Sequence, residues 1–435
     1  GLQTTHTYNS FGELLRTTDP LGTATSAMEW SAGHADAPAH ALYYTREEST
    51  GQPVSLEFFD LLGRNLRTVT EGMDGKKIYR DAVYNRKGET VAVSEPYFAG
   101  SDAVWTHTEY DAVGRTLRQT APDGSQVTWG YNGFSTSVTD PLGRTSTRRL
   151  NKYGQTESST DAMDGCVTYT YDINDNCIRV QTPSTQATAV YDTYGHRLQQ
   201  NDPDAGTTRY TYDAYGQMLT ETTAYGTTYY QYDLLGRLVD EQRPDMRYQY
   251  EYDTRWVGAL SSSTCTDDMG QEFSYDAYGR VITATEFIHG EPFTVHNYYT
   301  NDNHLAAIQY PNKFTVSYSY TPSGYLKTVN DGSGNVLWKV DKTNARGQIE
   351  GVSLFGGQTI SNSYDPLTGH MATVRTQNAK GRDLVHWEYA FDKVGNLSSR
   401  HDVVHAMTER FDYDALNRLT MVWQADTIAQ RMAYD

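Results

Sequence analysis

An all-β fold is predicted for this 435-residue sequence: a continuous antiparallel β-ribbon of repeated hairpins, curling into a hollow or partly open spiral shell. Three observations predict it. A unit reading aromatic-Asp-x-x-Gly-Arg recurs along the chain. Hydrophobicity between the units alternates with period 2, and helical periodicity is almost absent. The chain also holds 35 Tyr beside 36 Gly but only 37% hydrophobic residues, which is rich in aromatic surface and poor in material for a thick core.

The unit begins clearly at Phe59-Asp60 (through Gly63-Arg64), Tyr110-Asp111 (Gly114-Arg115), Tyr232-Asp233 (Gly236-Arg237) and Tyr275-Asp276 (Gly279-Arg280). Variants include Tyr191-Asp192 with Gly195 and Tyr212-Asp213 with Gly216. Others lead with Tyr8, Tyr84, Tyr171, Tyr252, Tyr320, Tyr364, Phe391, Tyr413 and a truncated Tyr434. From Tyr171 to Tyr252 the spacing is 20 or 21 residues. The gap between Tyr8 and Phe59 holds an atypical stretch, Ser31–Thr50, read as an insertion within a single 1–435 shell segment.

Each part of the unit has a physical reading. Asp at the head of a four-residue turn can bond the backbone two residues on, and Gly supplies the positive φ that closes the turn. Tyr248, Tyr250 and Tyr252 fall on one strand face, with Gln249 and Glu251 on the other. After the turn comes a second strand, such as 237–241, and then a second turn such as Pro122-Asp123-Gly124 or Asp202-Pro203-Asp204. Residues 409–418 carry the Tyr413-Asp414 signature and are read as strand rather than helix. About 18 such units give about 36 strands, a ribbon roughly 170 Å wide at about 4.8 Å per strand. Accumulated twist forbids a flat sheet of that width, so the ribbon should coil; closed once, it would be roughly 55 Å across.

Charge and composition exclude several function classes. With 36 Lys+Arg against 54 Asp+Glu the net charge is −18, the wrong sign for nucleic acid or an anionic membrane surface. No apolar run has the length of a membrane-spanning helix. Cys166, Cys177 and Cys265 form no CxxC pair, so neither a disulfide framework nor a zinc ribbon is indicated. The sequence opens at Gly1-Leu2-Gln3 and stops at Tyr434-Asp435 in mid-unit, and it is read as a fragment of a larger chain.

The recurrent Tyr110-Asp111-Ala112-Val113-Gly114-Arg115 and Tyr232-Asp233-Leu234-Leu235-Gly236-Arg237 resemble the repeat of RHS/YD-repeat proteins, over nearly the whole chain apart from 31–50. That family includes bacterial polymorphic toxins, the B and C components of Tc insecticidal toxins and, more distantly, teneurins. The resemblance implies a hollow β-shell enclosing a toxic C-terminal domain before delivery. It implies as partners a toxin domain of the same parent chain, other shell segments, and a delivery apparatus or receptor. The parent would be a bacterial protein, secreted or at the cell surface. The family's self-cleaving core and toxin are not matched here: Asp19-Pro20-Leu21-Gly22 and Asp140-Pro141-Leu142-Gly143 lie inside the array and read as turns.

No catalytic residue, cofactor or metal ligand is assigned. His401 and His405 could share zinc on a helix, but on a strand they stand about 13 Å apart. His34, Asp36 and His40 sit together in the atypical stretch and read as a loop packed on the shell. Asp172-Ile173-Asn174-Asp175-Asn176 opens like a calcium loop, but Cys177 replaces its Gly and Pro183 its Glu. Carboxylates recurring in every unit, such as Asp111 and Asp233, serve the turn, since a catalytic acid is needed once. An outward tyrosine face would instead make the ribbon a glycan- or receptor-binding adhesin, so the orientation of the Tyr248/Tyr250/Tyr252 stripe discriminates the two readings.

Overall fold

The structure is a computed structural model in which residues 3–10, 12 and 14–434 are described; Gly1, Leu2 and Asp435, which carry the expectation of cut ends, lie outside the described residues. Those residues form 40 strands in one sheet, with a single 3-10 turn at Phe355–Gly357. Sequence arithmetic puts the number near 36; the extra strands come from partial units near the N-terminus such as Tyr97–Phe98. Strands follow one another across the ribbon in chain order, each antiparallel to the last. The exception is Lys77–Tyr84, whose first half pairs with Tyr97–Phe98 and whose second half pairs with Thr90–Ser94.

Alternate turns differ. At the turns led by the aromatic-Asp unit the register slips: Tyr110 faces Thr116 while Glu109 faces Arg118, leaving Leu117 as a bulge. The same slip recurs at Tyr171, Tyr191, Tyr212, Tyr232 and Tyr275. The intervening return turns at 121–125, 161–165 and 203–205 keep register. A bulge bends its strand and adds twist. Because the bulges gather along one edge of the ribbon, the signature edge, their bends add in one sense and the ribbon coils.

The coil overlaps itself. The hydroxyl of Tyr325 donates to the Glu71 carbonyl at 2.7 Å across 254 residues. Arg144 donates to the Asp414 carbonyl at 3.3 Å and to Asn417 Oδ1 at 3.0 Å. Arg346 lies 3.4 Å from Glu95. This seam joins the sixth strand to the thirtieth and the thirteenth to the thirty-eighth, so one revolution takes 24 or 25 strands. The expectation of a single loop roughly 55 Å across is corrected accordingly: a revolution uses roughly 115–120 Å of ribbon, a ring about 37 Å across, and the chain makes more than one and a half turns. At the seam the signature edge of the second revolution always sits on the return edge of the first.

The wall is one layer thick. Its accessible surface is 26491 Å², whereas a compact globule of its mass would expose about 16,700 Å². The deepest packing is local: Tyr44, Phe58 and Val69 are buried beneath Ala37 and Ala41. The loop over them belongs to the atypical stretch, which is narrower than 31–50, because Tyr43–Ser49 is a regular strand paired on both sides. Within 31–50, only residues 31–42 leave the ribbon pattern.

Candidate functional site

The residues with repeated chemistry lie at the signature turns, and each turn is built the same way. Asp111 Oδ1 accepts the N–H groups of Val113 and Arg115, both at 2.9 Å, and its Oδ2 accepts Arg115 Nε at 2.7 Å. Gly114, at φ 87°, donates its N–H back to the Asp111 carbonyl. Asp60 with Gly63 and Arg64, Asp233 with Gly236 and Arg237, and Asp276 with Gly279 and Arg280 repeat the pattern. Asp192 with Gly195 substitutes His196, 2.9 Å from the carboxylate, and Asp213 with Gly216 caps the Gln217 amide. These bonds hold Asp111 and Asp233 below the usual carboxylate range, the amide of the following Arg being the largest cause. In Asp60 and Asp276 burial pushes the carboxyl up, but the Arg64 and Arg280 bonds outweigh it.

The arginine then reaches the next unit. Arg64 lies 5.0 Å over the Tyr84 ring, Arg115 4.2 Å over Tyr131, Arg237 4.4 Å over Tyr252 and Arg280 4.5 Å over Tyr299. His196 stacks on Tyr212 in the same position. Where that next aromatic returns a hydrogen bond, it goes to the carbonyl one residue beyond the Arg position. Tyr84 donates to Asn65, Tyr131 to Thr116, Tyr212 to Arg197 and Tyr299 to Val281, at 2.8 to 3.0 Å. Tyr110, Tyr191 and Tyr275 do likewise to Thr90, Cys177 and Leu260. In Tyr84, Tyr131, Tyr212 and Tyr299 the ring is thus clamped to the preceding unit by a guanidinium or imidazole above it and a hydroxyl bond below, and in other units by one of the two. Sequence reading places the tyrosines in ladders but misses this Arg-to-Tyr contact. Its signal is the recurrence of an aromatic 15 to 21 residues after the Arg or His.

Other candidates resolve as structure. Asp36, 3% exposed, accepts Lys77 Nζ and the Tyr79 hydroxyl, both at 2.6 Å, and pins the 31–42 loop to the sheet. Burial and this bond push Tyr79 up to about 12. His401 bonds Thr408 on its strand partner, while His405 turns back to Asp402. Asp172 caps the amides of Asn174 and Asn176 in an ordinary signature turn. Asp19 and Asp140 head turns too. Cys166, Cys177 and Cys265 are free thiols. Among the described residues no three His, Cys, Asp or Glu are grouped to hold a metal ion, and no helix is long and apolar enough to cross a membrane. In the Tyr248/Tyr250/Tyr252 stripe the rings are half-buried and Gln249 and Glu251 exposed.

Comparison with known proteins agrees with this geometry. The RHS Repeat family model matches residues 110–145 and 191–228. Double-stranded DNA deaminase toxin A of Burkholderia cenocepacia (strain H111) is 24% identical over 398 residues, covering 83% of this chain and 27% of that protein. The TcdB2-TccC3 crystal structure superposes with a TM-score of 0.78 at 16% identity, over 97% of this chain and 29% of the other. The Tc holotoxin pore of Photorhabdus luminescens gives 0.74 at 17% identity, over 94% and 24%. The chain thus spans 24 to 29% of the length of these relatives. Its units at 110–145 and 191–228 match the RHS Repeat model, and the ribbon as a whole has the fold seen in the TcdB2-TccC3 crystal structure.

Proposed function

We propose that this chain is a wall segment of an encapsulating shell in a bacterial RHS-type toxin. Its cargo would be a toxic domain of the same parent chain, held until delivery by a secreted or cell-surface complex. The observation that carries this reading is the continuous single-layer ribbon, which overlaps itself at a seam and so surrounds a space instead of filling it. Confinement is steric: a polypeptide inside cannot meet its target. A role in catalysis finds no support, because the one buried carboxylate of the atypical loop, Asp36, is already saturated by Lys77 and Tyr79. The adhesin reading is weakened because the tyrosine stripe is packed into the wall rather than presented.

Limited proteolysis of the full-length parent, followed by mass spectrometry, tests the proposal. A C-terminal fragment should survive while the isolated fragment is digested. Equal digestion rates in both states would overturn it. A glycan array probed with the 435-residue chain should stay silent; a specific, saturable hit would favour the adhesin.

A further inference from the structure

The two revolutions are held together far less firmly than the strands within each. Inside the ribbon a ladder of backbone hydrogen bonds ties each strand to the next, as between Gln126–Asn132 and Ser135–Thr139. Among the described residues no backbone-to-backbone hydrogen bond crosses the seam. Its turns touch through single side chains instead: Tyr325 and Ser323 on Glu71, Arg346 beside Glu95, Arg144 on Asp414 and Asn417, and Arg418 3.8 Å from the Met163 sulfur. Between these points lie three cavities of about 560, 300 and 230 Å³. Gly51 and Ser323 line the first, Asp19 and His304 the second and Asp123 and Asp365 the third, one residue of each pair from each revolution. The first two are lined mainly by hydroxyl, amide and carboxylate groups and are large enough to admit solvent. A tight interface has instead the packing density of a protein interior. The third sets the carboxylate of Asp123 against that of Asp365, and their charges oppose each other.

We infer that the seam is a parting line: the second revolution lifts from the first and settles back while the ribbon itself stays folded, opening a lateral slit in the wall. The ribbon can follow because the change is shared. A slit of about 10 Å, the thickness of an extended chain with its side chains, asks each of the 24 or 25 steps in a revolution to shift by only about 0.4 Å along the strands. Twist between neighbouring strands varies widely enough to absorb such a shift without breaking a pair. The groups freed at the seam, Tyr325, Arg144 and Glu71 among them, exchange their bonds for bonds to water. The parting belongs to the coil and stands apart from what the wall encloses.

Double electron–electron resonance on the 435-residue chain tests it, with Cys166, Cys177 and Cys265 replaced by Ser and nitroxides on pairs of introduced cysteines. Gln126→Cys/Thr368→Cys spans the seam beside the third cavity. Gln126→Cys/Gln186→Cys, six strands apart within one revolution and so about 29 Å, is the reference. As urea rises toward the unfolding midpoint, the cross-seam pair should gain a second distance about 10 Å longer while the reference keeps its single one. Tyr325→Phe/Arg144→Ala should raise the ratio of open to closed at least about tenfold. A cross-seam distance that stays single until the reference also broadens would overturn the inference, and so would a ratio that the two substitutions leave unmoved. Circular dichroism along the same titration confirms that the sheet is intact where the ratio is read.

Discussion

Asp111 shows what one side chain must do here: cap two amides, orient an arginine and keep its charge. Asp253, which caps the single amide of Gly258, keeps its charge most firmly, its carboxyl held down to about 2 because Arg237 forks onto it with two bonds. A carboxyl depressed in the folded state stabilises the fold above its unfolded pKa and loses that contribution as pH falls through the folded value. The melting temperature should therefore drop between about pH 4 and pH 2 as these turns protonate. Asp253→Asn should flatten the lower part of that profile, which thermal melts across this range would show. Tyrosine acts on the same scale. Tyr275→Phe removes the 2.6 Å bond to the Leu260 carbonyl and leaves the ring in place. Urea unfolding should report a loss of about 1 kcal/mol.

Among the turns, identical positions meet different surroundings. Gly154 and Gly324 both close signature turns at positive φ, 83° and 77°. Around Gly154 a Cβ would meet open space, whereas at Gly324 it would stand 1.9 Å from the Gly51 carbonyl of the other revolution. Gly154→Ala should thus cost only backbone strain, about 1–2 kcal/mol. Gly324→Ala should cost more and open the seam, seen as faster amide exchange at 300–325. Gly154→Asn should be milder still, since Asp175, Asn303 and Asn417 already occupy positive φ at this turn position. The turn itself was legible in the sequence because Asp, Gly and Arg fix it within five residues. The atypical stretch was only partly legible: Tyr43–Ser49 lacks both the signature and a clean alternation, and it is a strand because its neighbours pair with it on both sides.

At the scale of the whole molecule, what sequence reading could not supply is the seam. Its contacts lie 251 to 273 residues apart, join unlike edges and leave no local pattern. The bulges that set the curvature were equally hidden, so the ring was drawn too wide. Hydrogen exchange can check the revised shape. Signature turns from 300 to 418, which rest on the first revolution, should be better protected than those from 111 to 236, which face solvent. Arg144→Ala should raise exchange at 414–418 more than at its own sequence neighbours.

Because nearly every strand pairs with the one made just before it, the ribbon has low contact order apart from the seam. Each hairpin can form as soon as its residues emerge, and the growing end always offers an open strand to the next. The wall can therefore be laid down progressively during synthesis, the first revolution already standing as the track onto which the second is wound.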